Sequence, residues 1–166
     1  MKRREFLVTT SLFCTSISAN TDTFFDTKDS LSWLIIKNVL EILFPKTQHM
    51  PSASEFGAID YLLQNKNHKT FNKQDLHYLL QGAKDFNSSF PIFLKATIDK
   101  KNKIIKEVSQ NSYGQSWLSF LIYYGLEAML SDPIYGGNKN MLAYKALKFQ
   151  AGQPRPKVKY GKSNGI

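Results

Sequence analysis

The sequence predicts an all-α fold, a small irregular domain of about five to six helices behind an N-terminal signal peptide. Apolar residues recur at helical intervals in one segment after another, and Pro, Gly and Asn clusters separate those segments. Neither a strand-like alternation nor an internal repeat is visible. With 166 residues, 42% hydrophobic and 13% aromatic, the chain suffices for one domain with a real core and is too apolar to be wholly disordered.

The chain opens Lys2-Arg3-Arg4-Glu5-Phe6-Leu7, followed by a mildly apolar stretch rich in Ser and Thr. A charged start, a short apolar segment and the small residues Ser16, Ser18 and Ala19 describe a secretory signal. Arg3 and Arg4 followed by Phe6 and Leu7 look like the twin-arginine motif, which a translocase reads as an address on proteins exported already folded. Residues 1–19 are therefore expected to be a twin-arginine signal peptide, with processing after Ser18 or Ala19. The segment falls short of the roughly 20 residues a membrane span needs. Bulky Phe13 before Cys14 makes a poor lipidation site.

Residues 20–152 are expected to form the helical domain, entered through a polar linker at 20–29. Leu31 to Phe44 has a wide apolar arc, which places this helix among several neighbours, with Lys37 and Glu41 adjacent on one face. Pro45 ends it. Ser52 and Glu55 have capping-box spacing and open a helix carrying Phe56, Ile59 and Leu63, fading around Asn65 to Asn67. Asn72 and Asp75 start a third, with Leu76, Leu79, Leu80, Ala83 and Phe86 as its stripe. A connection broken by Pro91 leads to a lysine-rich helix from Thr97 to Gln110, expected to bury Ile98, Ile104, Ile105 and Val108. Asn111 to Tyr113 reads as a break before the most apolar helix, Gly114 to Leu130. Tyr123 and Tyr124 need hydrogen-bond partners if buried there, and Glu127, the one charge, calls for a salt bridge or an interface contact. Met141 to Phe149 forms a short helix, and 153–166 is an extended basic tail.

Candidate chemistry is sparse. The single cysteine, Cys14, leaves the body without thiolate ligation, a Cys-x-x-Cys-His haem attachment or a cysteine nucleophile. His49, His68 and His77 are not at zinc-ligand spacing, and no His-Glu-x-x-His, Gly-x-Gly-x-x-Gly or Gly-x-Ser-x-Gly occurs. Asp60, Asp75 and Asp85 are expected on separate helices as surface or capping residues. The net charge of +9 comes without an Arg-rich helix or a nucleic-acid-binding motif, so a solvated lysine-rich surface accounts for it and no nucleic-acid partner is expected.

The most particular string is Asp132-Pro133-Ile134-Tyr135-Gly136-Gly137-Asn138. Pro133 stops the preceding helix, Gly136 and Gly137 allow positive φ, and Asn138 tolerates the left-handed region, so a tightly specified loop is expected. The string resembles the Asp-Pro-x-Tyr-Gly-Gly-Asn signature near the C-terminus of the gluconate 2-dehydrogenase subunit 3 family. Leu43-Phe44-Pro45, Glu55, Ile59-Asp60 and Leu62-Leu63 look like that family's early block. The chain departs from the pattern with Tyr144 in place of a tryptophan and with no proline after Phe149.

The resemblance implies a non-catalytic small subunit of a periplasmic, inner-membrane-associated dehydrogenase of a sugar or sugar acid. It would bind a large FAD-dependent subunit, carry it through the twin-arginine translocase and stabilise it, while a multihaem cytochrome c subunit removes the electrons. No cofactor is expected in this chain; FAD and haem c belong to the partners. Asp132, Pro133, Tyr135, Gly136, Gly137 and Asn138 are then the interface or fold signature. Two other classes stay open, a free-standing periplasmic enzyme and a basic membrane-surface or nucleic-acid binder.

Overall fold

The computed structural model describes residues 29–159. The signal-like segment, with Arg3, Arg4, Phe6, Leu7 and Cys14, and the tail beyond 159 lie outside the described residues.

Among the described residues the fold is all-helical, with α1 (Ser30–Leu43), α2 (Ala53–Phe56), α3 (Ala58–Asn65), α4 (Lys73–Ser89), α5 (Ile98–Val108), α6 (Ser112–Leu130) and α7 (Leu142–Ala146). Short 3-10 turns stand at Phe93–Lys95, Pro133–Tyr135 and Lys139–Met141. None of these helices is long and apolar enough to cross a membrane.

The wide arc of α1 does what it predicts: the helix packs against α2, α3, α4, α5 and α6 and buries Trp33, Ile35, Ile36, Val39 and Leu40. Glu41 does not pair with Lys37; its Oε2 accepts from the backbone N–H and hydroxyl of Ser54, tying α1 to the start of α2. The capping box forms as spaced, with Ser52 and Glu55 each accepting from the other's backbone N–H. The helix it opens is cut after one turn by Gly57, whose φ of 79° is left-handed and ends α2 before α3 begins. That cut accounts for seven helices where periodicity alone counts six, because one apolar stripe runs across both pieces.

Asn72 caps α4 as expected, its Oδ1 accepting from Gln74 and Asp75. Asp75 and Asp85 both fall on α4, not on separate helices, since α4 runs unbroken past both. Its stripe meets α6, where Trp117 Nε1 donates to Leu79 O at 3.1 Å and the Phe86 ring lies 5.4 Å from the Trp117 ring. On α5, Ile104, Ile105 and Val108 are buried, whereas Ile98 is 60% exposed. Ile98 stands at the very start of α5 and is not covered there, and it is Lys101 that lies over the Phe93 ring. Likewise Asn111 is the cap of α6 itself, accepting from Gly114 N, so Ser112 and Tyr113 belong to the helix. Within the long helix, Gly125 lets the Phe44 ring come against the α6 backbone, where an added Cβ would meet it at 2.3 Å.

Candidate functional site

Two neighbouring regions at the C-terminal half of α6 carry the residues of interest: the loop after it, and the helix's own outer side.

The loop begins where Ser131 leaves α6. Asp132 Oδ1 accepts from Ile134 N at 3.1 Å, capping the 3-10 turn with Pro133 at its start. The other oxygen, Oδ2, accepts from Arg155 Nε and Nη2 at 2.7 and 2.6 Å, and the Arg155 guanidinium also lies over the Tyr144 ring. The basic segment after 152 thus does not trail free from its start: Arg155 is folded back onto the loop. From α3, Gln64 and Asn65 donate to the carbonyls of Ile134 and Tyr135 at 2.9 and 2.8 Å.

Gly136 turns the chain with φ 95°, and Gly137 follows with its backbone pressed on α6, where a Cβ would stand 2.1 Å from Ala128 O. Asn138 is fully buried, its Nδ2 donating to Ser131 O and its Oδ1 accepting from Ala143 N, so one side chain ties the end of α6 to the start of α7. Asn138, Asn140 and Met141 all have positive φ, a strain non-glycine residues hold only where their surroundings over-determine it. Tyr144 completes the lock, its hydroxyl donating to Leu130 O at 2.7 Å.

Of the six signature residues, none is exposed: Asp132, Pro133, Tyr135 and Gly136 are partly buried, Gly137 and Asn138 wholly so. The structure brings them together as a clasp that fixes α7 and the segment around Arg155 against α6 and α3. The side chains are spent inward.

The outer side of α6 is the opposite. Ile122, Tyr123, Leu126 and Leu130 are 39%, 54%, 41% and 51% exposed, an apolar stripe at helical spacing with the half-buried Glu127 at its edge. Beside it opens a cleft of about 320 Å³ between α3, the 66–72 connection, the start of α4 and α6. Tyr61, Phe71, Tyr123 and Tyr124 wall it, with Phe71 stacked on Tyr124 at 5.3 Å and Tyr123 edge-on to Tyr124 at 5.1 Å. Asp75 accepts from the Tyr124 hydroxyl at 2.8 Å. Glu127 makes no salt bridge among the described residues; its oxygens accept from Tyr123 at 3.0 Å and Tyr61 at 3.2 Å. Burial, then the neighbouring Asp75, and after it Glu127 and Tyr123, push the Tyr124 phenol well above its ordinary value, so it stays a donor.

Tyr123, Tyr124 and Glu127 stand out in the sequence for the partners they need, but the exposed stripe and the cleft do not, because α6 reads as a core helix throughout. The available signal was excess: a helix apolar on nearly every side exceeds what a single core needs. Among the described residues, no group of three or more His, Cys, Asp and Glu could hold a metal ion. No family model, curated protein or solved structure matches the chain.

Proposed function

We propose that this chain is a non-catalytic accessory subunit that binds a large FAD-dependent sugar or sugar-acid dehydrogenase, accompanies it through the twin-arginine translocase and remains bound to it at the periplasmic side of the inner membrane. The observation that carries the reading is the apolar outer stripe of α6, Ile122, Tyr123, Leu126 and Leu130, with Glu127 at its edge. Contiguous exposed apolar surface rimmed by polar residues marks a protein-binding face, and aromatic residues anchor such faces. The string from Asp132 to Asn138 supports the same reading through its resemblance to the small-subunit signature, as the clasp that holds α6 in place beneath that face. Flavin and haem c, in this reading, reside in the flavoprotein and in a multihaem cytochrome c partner.

The test is co-expression with the cognate flavoprotein, following where that subunit goes. Arg3→Lys with Arg4→Lys is expected to strand both subunits, folded and flavin-loaded, in the cytoplasm. Arrival of the flavoprotein in the periplasm despite the double substitution would remove the carrier role. Turnover of a sugar by the purified chain alone would favour the free-standing enzyme, and salt-sensitive binding to DNA or anionic vesicles the basic surface binder.

A further inference from the structure

The cleft beside the α6 stripe has a chemistry that the accessory role does not by itself require. Its walls are aromatic, with the stacked pair Phe71 and Tyr124 and the edge-on Tyr123 presenting ring faces and edges a few ångströms apart. Two carboxylates, Asp75 and Glu127, stand among them. In a chain of net charge +9, no Lys or Arg lines this cleft, and none among the described residues pairs with either carboxylate.

The hydrogen-bond directions restrict what fits. The hydroxyls of Tyr61, Tyr123 and Tyr124 direct their protons to Glu127, Glu127 and Asp75, and the Asn65 amide gives its N–H groups to the Tyr61 and Tyr135 carbonyls. The donors on the α3 and α6 walls are therefore committed, His68 and Thr70 are bonded to each other through Nδ1 and Oγ1 at the 66–72 side, and between Asp75 and Glu127 a ligand meets chiefly carboxylate lone pairs and aromatic rings. A ring face attracts a cation through its quadrupole, and a carboxylate attracts it through charge and donated N–H. A carbonyl- or phosphate-bearing ligand would find donors only at the His68, Thr70 and Asn72 side and would meet the two carboxylates opposite.

We propose that this cleft is a binding site for an organic cation, the guanidinium head of an arginine side chain carried by a protein docked on the α6 stripe. Guanidinium is preferred over a metal ion because the walls are rings and, among the described residues, no group of three or more His, Cys, Asp and Glu is placed to hold a metal. A protein side chain is preferred over a free small molecule because Tyr123 belongs to both features: it lines the cleft and stands in the apolar stripe, so a chain lying along Ile122 and Leu126 passes its mouth. The source of the cation rests on the accessory-subunit reading; the site itself does not.

Titration of the folded chain with N-acetyl-arginine methylamide, followed by the shifts of tyrosine ring resonances in NMR, tests the site. Binding is expected, with resonances of Tyr123 and Tyr124 moving and the citrulline counterpart leaving them in place. Asp75→Asn and Glu127→Gln are each expected to weaken it by about tenfold, as is Tyr123→Ala, which sits at an exposed rim and leaves the core intact. Asp85→Asn, an acid on α4 outside the cleft, is expected to change nothing. Absence of arginine-specific shifts, or equal binding in all four variants, overturns the site. A peptide of arginine flanked by leucines is expected to bind about tenfold tighter than the single residue; equal affinity overturns the protein source and leaves a small-molecule site. None of these readings uses the flavoprotein, so failure of the cleft and failure of the carrier role are told apart.

Discussion

The clasp at 131–144 and the outer side of α6 adjoin each other and share a helix, yet they spend their residues in opposite directions. In the clasp every distinctive residue faces inward: Asn138 joins two helix ends, Gly137 has no room for a methyl group, and Asp132 holds Arg155. On the outer side of α6, apolar residues that would serve a core face solvent instead. A string that stands out in a sequence need not be a contact surface. It stands out here because left-handed backbone and a close helix approach admit few residue types, while an apolar face admits many and leaves only an excess of apolar residues.

Substitutions sharpen that contrast. The largest effect is expected from Gly137→Ala, which drives a Cβ to 2.1 Å from a backbone carbonyl that cannot swing aside. Loss of about 3 kcal/mol or more in urea unfolding is expected, and an unchanged midpoint would break the account of the clasp. Asn138→Ala should follow at about 2–3 kcal/mol, because it strips the bonds to Ser131 and Ala143 from a fully buried position and leaves both backbone groups unpaired. On the other side, Ile122→Ser and Leu126→Ser should shift stability by only about 0.5–1 kcal/mol. Their expected effect is on co-purification with the proposed flavoprotein partner; unchanged recovery of such a pair would show that the stripe is not the contact.

The smallest effect is expected at high pH and separates Tyr113 from Tyr124. Burial and then Asp85 push Tyr113 up to about 12, from an ordinary 10.0. A raised value in the folded state means stability that is complete below the unfolded value and is lost as pH rises from there through about 12. Tyr113 is 45% exposed, so its loss should be slight and screened by salt. Phenolate absorbance should show Tyr124 ionising after Tyr113, with Tyr124→Phe abolishing the later step. The reverse order would mean that Tyr124 is neither buried nor held by Asp75 as described.

Much of the fold was legible. The capping box at Ser52 and the cap at Asn72 stand where spacing puts them, because caps are local and depend on a few consecutive residues. Ile98 and the cut at Gly57 were not legible, since periodicity gives a face but not whether a neighbour reaches it. Of the candidate site, the positions of the loop residues were readable and their direction was not. Tyr61, Asp75 and Glu127 come from three helices and are distant in sequence, so no spacing rule connects them.

By itself, the order of residues determined where helices start and stop, which stripe of each is apolar, and that the chain must turn sharply after Leu130. Those are consequences of backbone geometry within a few residues. Tertiary structure alone decided that Asn138 is a bolt between two helices, that Arg155 returns to Asp132, and that α6 keeps an apolar side in water beside two tyrosine-held carboxylates. Burial and ion pairing depend on what arrives from elsewhere in the chain, and no residue carries that information in its own neighbourhood.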